Sequence, residues 1–429
     1  MNIPQTLAQK LVARACGRSE VPVGEIVTCK VDLAMFHDSS GPRRLKPMLE
    51  SLGASIWDPS RVVLVMDHYV PEQDDDSRRI VRIAREWARD QRLPHVYDSQ
   101  GICHVVVPQH GHIRPGMFCV GGDSHSPTGG AFGAYMFGVG ATEMLGVVVT
   151  GEIWLQVPRT TRMQWDGQLA PGVLAKDMML HMIGRFGMNG GAYQAIEFCG
   201  DAVQALGMAE RMTLANMSAE LGAQVGLVAP DATTVDWLAA HGAPGVDIAG
   251  LFTDPEALAL PGCETHRFDA ADLAPVVAAP HSPANAKAVS EHAGTPVDVA
   301  YIGACTGAKL EDLRAAAQVL RGRRVAPGVR LMVAPASIAD QEAARAEGVL
   351  QALVDAGAQL YATACGACAG YGAVMEDHTT VISSTARNFK GRMGSPTAQV
   401  YLASPYTVAA SALRGVISDP REVLAEARP

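Results

Sequence analysis

Val297-Asp-Val-Ala-Tyr-Ile-Gly-Ala-Cys-Thr-Gly307 opens the stretch that decides the fold. Val297 to Ile302 is a short β-branched and aromatic run between Pro296 and Gly303, so it reads as a buried strand. Leu310, Leu313, Ala317 and Leu320 then recur at helical spacing. Val329 to Val333 reads as the next strand. Ile338 to Ala356 reads as a helix ended by Gly357, and Gln359 to Ala362 as a third strand. This β-α-β-α-β order predicts a parallel sheet covered by helices. Ligand sites in such sheets lie beyond the carboxyl ends of the strands. Cys305 follows the first of these strands, and Cys365 and Cys368 follow the third.

The same grammar recurs toward the N-terminus. Arg61 to Met66 reads as a buried strand followed at once by Asp67-His68, and Asp76 to Gln91 as an amphipathic helix with Ile80, Ile83 and Trp87 on one face. Met117 to Val120 is a short strand running into Gly121-Gly-Asp-Ser-His125. Leu273 to Pro296, rich in Pro and Ala, has little periodicity and is expected to be a linker before the last α/β domain.

Composition narrows the function classes. The 429 residues suffice for two or three domains with a substantial core. Hydrophobic residues make up 48% and charged ones 18%, as in a soluble globular protein. The net charge is −9, from 35 Lys and Arg against 44 Asp and Glu, with no basic run, which disfavours a nucleic-acid partner. Nine scattered cysteines do not make a secreted disulfide framework and point to a reducing compartment. The N-terminus lacks a signal-peptide pattern. Ala131 to Thr150 is long and apolar, but Glu143 and its glycines favour a buried helix over a membrane span.

Several residues carry chemistry. Cys365-x-x-Cys368 by itself fits half a zinc site or a redox pair. Joined by Cys305 at an equivalent strand end, it fits a three-thiolate site. Three thiolates leave one coordination position of a metal centre open, whereas four close it. Unrelated buried cysteines are the alternative. Asp67-His68 and Asp123-Ser124-His125 place carboxylates beside imidazoles, which suits proton transfer near neutral pH, and His104 stands alone. Ser124 is not in a Gly-x-Ser-x-Gly elbow. The glycines of Gly129-Gly-Ala-Phe-Gly make no dinucleotide fingerprint and are expected to let a helix pack closely against its neighbours. Arg387 and Arg392 follow the strand-like Val381-Ile382, and guanidinium groups bind carboxylates bidentately. They are either a solvated loop or a grip on a di- or tricarboxylate.

Together these residues resemble the aconitase superfamily, and within it the large subunits of the isopropylmalate dehydratase branch. The resemblance runs in order through Gly24-Glu-Ile-Val, Asp67-His68, Gly122-Asp-Ser-His-Ser, Gly151-Glu-Ile-Trp-Leu-Gln-Val-Pro and Met212-Thr-Leu-Ala-Asn-Met. It continues through Gly303-Ala-Cys-Thr-Gly, Cys365-Gly-Ala-Cys, Arg387-Asn-Phe-Lys-Gly-Arg and Tyr401-Leu-Ala-Ser-Pro.

The resemblance implies an α/β fold of three-layer α/β/α domains with parallel sheets, over residues 1–158, 159–290 and 291–429. It implies a [4Fe-4S] cluster on Cys305, Cys365 and Cys368, binding substrate as a Lewis acid. His68 with Asp67 matches the acid that helps a hydroxyl leave, and His104 with Asp123 and His125 with Glu220 match the other pairs. His37, Ser124, Asn216, Arg387 and Arg392 match substrate-binding positions, His37 being histidine in the isopropylmalate branch. Two positions depart from the family pattern: Gly307 in place of the usual Asn of Cys-Thr-Asn, and Ala386 before Arg387-Asn-Phe.

The expected activity is the interconversion of 2- and 3-isopropylmalate, a step of leucine biosynthesis in the cytoplasm. Homoaconitate, citramalate or 2,3-dimethylmalate are alternative substrates. A non-catalytic metal-binding or interaction subunit is the alternative of another class. No swivelling fourth domain is expected after residue 429, so the expected partner is a separate small subunit docking over the cluster, with neither nucleic acid nor membrane involved.

Overall fold

The computed structural model describes residues 3–426, which pack as two compact units. Of these, the first comprises residues 3–98, 106–166 and 191–268, and the second 99–105, 167–190 and 269–426.

The first unit is built on a five-stranded parallel sheet with strand order His95–Asp98, Val62–Met66, Leu33–His37, Phe118–Gly121, Tyr135–Gly138. Every residue of Val62–Met66 and Leu33–His37 is buried, because helices cover both faces of a parallel sheet and leave no side for water. The helix Asp75–Asp90 starts on a capping box, the Asp74 carboxylate accepting from the Ser77 amide at 2.7 Å. Asp75 and Asp76 in its first turn and Arg89 in its last complement the helix dipole. Its apolar stripe of Ile80, Ala84 and Trp87 faces inward, with Trp87 tilted against Phe36 at 5.6 Å.

A second, four-stranded sheet in this unit runs Val225–Val228, Ala195–Cys199, Thr160–Asp166, Cys263–Asp269. The apolar stretch from Ala131 to Thr150 resolves into the end of a 3-10 turn (Ser126–Phe132), the strand Tyr135–Gly138 and the helix Ala141–Thr150. Among the described residues no helix is long and apolar enough to cross a membrane.

The second unit carries a seven-stranded sheet, Ala286–Ala288, Val276–Ala278, Gln399–Leu402, Thr380–Ser383, Val299–Ile302, Arg330–Val333, Gln359–Leu360. Its last five strands are mutually parallel, as the β-α-β-α-β order predicts. Two expectations are corrected here. The residues from 338 to 356 form two helices, Ile338–Ala346 and Val349–Ala356, because Gly348 between them is left-handed at φ 69°. The stretch from 273 to 296 is no linker. Its strands Val276–Ala278 and Ala286–Ala288 pair antiparallel and extend the sheet through Ala278 opposite Leu402. Short strands and Pro-rich turns hid this edge, since neither shows a clear period.

The glycines do pack closely, but on the 3-10 turn Ser126–Phe132 where a helix was expected. A Cβ on Gly130 would stand 1.8 Å from the carbonyl oxygen of Gly226, so the 3-10 turn lies directly against the strand Val225–Val228. Gly130→Ala should therefore displace the turn and destabilise the protein by about 1–3 kcal/mol, measured as a lower urea midpoint at unchanged slope.

Candidate active site

In the first unit the site residues follow adjacent strand ends. His37 is the last residue of Leu33–His37, Asp38 comes next, Asp67-His68 follow Val62–Met66, and Gly122-Asp123 follow Phe118–Gly121. Asp38 is fully buried and joins two of these ends: its Oδ1 accepts from the amides of Ser39 and His68 at 3.1 Å, its Oδ2 from the Tyr69 amide at 2.8 Å. His68 Nδ1 stands 2.6 Å from Asp67 Oδ1, and its ring stacks on that of His37 at 3.8 Å and 9°. One ligand-type atom from each of His37, Asp38, Asp67 and His68 lies within 4.8 Å of the others. Neither ring nitrogen of the buried His37 makes a hydrogen bond, although Nε2 is 3.6 Å from Asp123 Oδ2.

The electrostatics follow from this packing. Burial lowers the proton affinity of His68, but Asp67, Asp38 and Asp123 outweigh it and raise the pKa to about 9. His68 is then an imidazolium at neutral pH, held by Asp67. Burial and the neighbouring Asp67 both push the Asp38 carboxyl up, while His68, His37 and the Tyr69 amide pull the other way.

His125 belongs to the same unit. Its Nε2 lies 3.0 Å from Oε1 of the fully buried Glu220, and its amide donates to Asp123 Oδ1 at 2.8 Å. Asn216, on the helix Met208–Met217, donates through its side-chain amide to Thr128 Oγ1 at 2.8 Å, and Thr128 Oγ1 in turn donates to the His125 carbonyl at 2.7 Å. Ser124 is exposed at the tip of the loop. The structure thus gathers His37, Asp67, His68 and Asp123, and pairs His125 with Glu220.

In the second unit Cys305 follows the strand Val299–Ile302, and after Gln359–Leu360 Cys365 caps the 3-10 turn Gly366–Ala369, which contains Cys368. Cys305 and Cys368 are buried and Cys365 half-buried. The strands that lead to them, Val299–Ile302 and Gln359–Leu360, are parallel and both pair with Arg330–Val333, so the two cysteine loops leave the same end of the sheet. Arg387 and Arg392 are half-buried in the loop after Thr380–Ser383, and Arg392 Nε is buried without a hydrogen bond. His104, on the helix Cys103–Gln109, is buried, and the segment that carries it packs with this unit.

Three buried residues escaped the reading of the sequence. Lys176 places its Nζ 3.2 Å from Thr306 Oγ1 and 2.7 Å from the Thr385 carbonyl, and it also donates to the Ser384 carbonyl. It ties the Cys305 loop to the loop that leads to Arg387. Burial lowers its pKa to about 8 against the opposing pull of Asp312, Cys305 and Cys368. Lys309 donates from Nζ to the Cys305 carbonyl and to Asp312 Oδ2, both at 2.9 Å. Asp38 is the third. The signal for Lys176 was present: Lys176-Asp177 is a charged pair opening an otherwise largely apolar helix, Ala175–Phe186. Asp38 repeats the pattern of Asp67, an acid immediately beyond a buried strand.

Comparison with known proteins comes to the same place. The model of the aconitase family (aconitate hydratase) matches residues 9–296 and 290–415. The chain is 41% identical over 424 residues to 3-isopropylmalate dehydratase large subunit 1 of Methanopyrus kandleri, covering 98% of this chain and 100% of that one. It is 40% identical over 426 residues to the probable methanogen homoaconitase large subunit of Methanothermobacter thermautotrophicus, covering 98% of each. The crystal structure of Thermococcus kodakaraensis aconitase X superposes with a TM-score of 0.50 at 14% identity, over 94% of this chain and 90% of that one, which shows the aconitase-like α/β fold.

Two outcomes are expected from this geometry. The folded pKa of His68, about 9, lies above the ordinary 6.5, so its stabilising contribution is complete below about pH 6.5 and lost as pH rises through about 9. Nitrogen-15 NMR of the imidazoles should place the His68 midpoint near the upper value and find it lowered in Asp67→Asn. Lys176→Met should strand the buried carbonyls of Ser384 and Thr385 and cost about 3 kcal/mol or more, read from denaturant unfolding.

Proposed function

This chain belongs to the aconitase family, and from that premise we propose that it is the large, catalytic subunit of a hydro-lyase interconverting 2- and 3-isopropylmalate by dehydration and rehydration. The observation that carries the proposal is His68: an imidazolium at neutral pH, oriented by Asp67 at 2.6 Å, suits the protonation of a departing hydroxide. In the reverse direction the neutral ring takes the proton from the incoming water. His37, with both ring nitrogens unsatisfied, and the exposed Ser124 are offered to the substrate, and Asn216 fixes the loop that bears His125. Arg387 and Arg392 hold a substrate carboxylate, the free Nε of Arg392 being one available donor. His125 with Glu220, and His104 with Asp123, tune protons beside the reacting carbon.

Cys305, Cys365 and Cys368 fit the three protein ligands of a [4Fe-4S] cluster, since all three follow parallel strands of one sheet and Cys305 and Cys368 are buried. When bound, such a cluster supplies Lewis acidity toward the substrate hydroxyl and carboxylate. We further infer three domains, 1–158, 159–290 and 291–429, a separate small subunit as partner, and a cytoplasmic role in leucine biosynthesis. The relative named as a homoaconitase large subunit supports a second reading, hydration of homoaconitate.

Anaerobically purified protein should contain about four irons with matching acid-labile sulfide, lost in Cys305→Ser. With its small subunit it should convert 3-isopropylmalate, and His68→Gln should lower kcat by roughly 10²–10⁴-fold. Zinc without sulfide, or no turnover of any alkylmalate or homoaconitate, would remove the proposal.

A further inference from the structure

Three arginines of the second unit line a cavity that the hydro-lyase chemistry does not use. Arg321-Gly-Arg-Arg324 follows the helix Leu310–Leu320. Gly322 is left-handed at φ 72°, which turns the chain sharply between the first two arginines. The helix Val349–Ala356 supplies Gln351 and Asp355 to the same lining, with Gly348 just before it. The cavity has a volume of about 460 Å³. Residues 321–329 lead into Arg330–Val333, which runs parallel to Val299–Ile302, so the cavity lies at the amino ends of these strands. The cysteine loops leave the opposite end.

The charge of this lining is not balanced within the chain. Among the described residues Arg321 and Arg324 make no ion pair and no hydrogen bond. Arg323 donates from both terminal nitrogens to the Val423 carbonyl at 3.4 Å, which seats the side chain without neutralising it. The acids close by are engaged elsewhere. Glu347, beside Gly348, is gripped by Arg314 at 2.5 and 2.7 Å. Asp355, the one carboxylate of the lining, accepts from Gln351 Nε2 at 2.7 Å. Three guanidiniums against one carboxylate leave the lining at 3 − 1 = +2. The helix Val349–Ala356 starts without a side-chain cap, and the positive end of its dipole lies at Gly348.

We propose that this cavity binds a phosphate group, either as the free ion or carried by a small phosphomonoester. A phosphate monoester holds about −1.5 to −2 charges at neutral pH and three acceptor oxygens, which matches the lining. Guanidinium forks donate to such oxygens in pairs. Cavities of this volume take up whole small metabolites, so there is room for the organic part of an ester. The site is distinct from Arg387 and Arg392, which follow Thr380–Ser383 at the other end of the sheet. It stands whether or not the hydro-lyase reading holds.

Equilibrium dialysis of the anaerobic holoprotein against inorganic phosphate and, separately, glucose 6-phosphate tests this, in about 0.15 M KCl to screen diffuse attraction. The expected result is about one equivalent bound by the wild type, and at least about tenfold weaker binding by Arg321→Gln and by Arg324→Gln. Tighter binding of glucose 6-phosphate assigns the ester, and binding of phosphate alone assigns the free ion. Two controls should bind as the wild type does. Arg345→Gln removes an exposed arginine outside the cavity, and Arg387→Gln removes one at the candidate active site. Arg321 and Arg324 are exposed, so neither variant should disturb folding, which circular dichroism checks. No binding by the wild type, or unchanged binding in both Arg321→Gln and Arg324→Gln, would overturn the site. Equal weakening by Arg345→Gln, or loss confined to Arg387→Gln, would do the same.

Discussion

Parallel strands can be joined only by crossovers that bring the chain back to the same end of the sheet, and both units are organised by that constraint. Within a buried strand every backbone group is spent on the ladder and every side chain faces a helix. Polar chemistry can begin only where the strand stops. Leu33–His37 lies between Val62–Met66 and Phe118–Gly121 in the sheet order, so Asp38, Asp67-His68 and Gly122-Asp123 emerge side by side. Val299–Ile302 lies between Arg330–Val333 and Thr380–Ser383, and the Cys305 loop therefore adjoins the Ser384-Thr385 loop. Proximity of residues far apart in sequence follows from strand order, with no need for a dedicated scaffold at either place.

The two units hold buried charge by opposite means. The first surrounds an imidazole with carboxylates: Asp67 touches it, and Asp38 and Asp123 stand behind, so the proton stays on His68 through neutral pH. The second buries an ammonium, Lys176, against two carbonyls and a hydroxyl, with no carboxylate in hydrogen-bond contact. Burial brings the pKa of that ammonium down to about 8, so the arrangement is complete below that pH and weakens above it. It also places a positive charge close to Cys305 and Cys368, where thiolates are needed if metal is to be held. Acid–base work and ligand-loop positioning are thus given to different groups.

The sheet cores were legible in the sequence because their strands are continuous apolar runs, as in Val62-Val-Leu-Val-Met66, and their helices carry caps and period, as in Asp74 to Asp90. The edge strands Val276–Ala278 and Ala286–Ala288 were not, since three residues cannot display alternation and the prolines around them resemble a linker. The break at Gly348 was hidden by good helix formers on both sides. Asp67-His68 and His125 announced themselves as charged residues at strand ends. The contact of His125 with Glu220 joins positions 95 residues apart, and spacing alone carries no trace of it; the family resemblance supplied it. Lys176 was missed because a lysine is almost always solvated, and only its three oxygen partners show why this one is not.

The departure at Gly307 has a physical explanation that a motif comparison does not reveal. A Cβ there would stand 2.3 Å from both Cβ and Oγ of Ser384, and 2.7 Å from the Ser384 carbonyl, so any side chain at this place requires another residue or another backbone path at 384. Ser384 Oγ accepts from the Gly303 amide at 2.9 Å, and the Ser384 carbonyl accepts from Thr306 Oγ1 at 3.0 Å and from Lys176. It is the cross-brace between the two loops. Glycine at 307 and serine at 384 are therefore two halves of one packing solution. The Ser384 hydroxyl, from the neighbouring strand end, satisfies a backbone amide of the Cys305 loop. A motif position that looks degraded when considered singly is here matched by its spatial partner, and the loop bearing Cys305 keeps its hydrogen bonds.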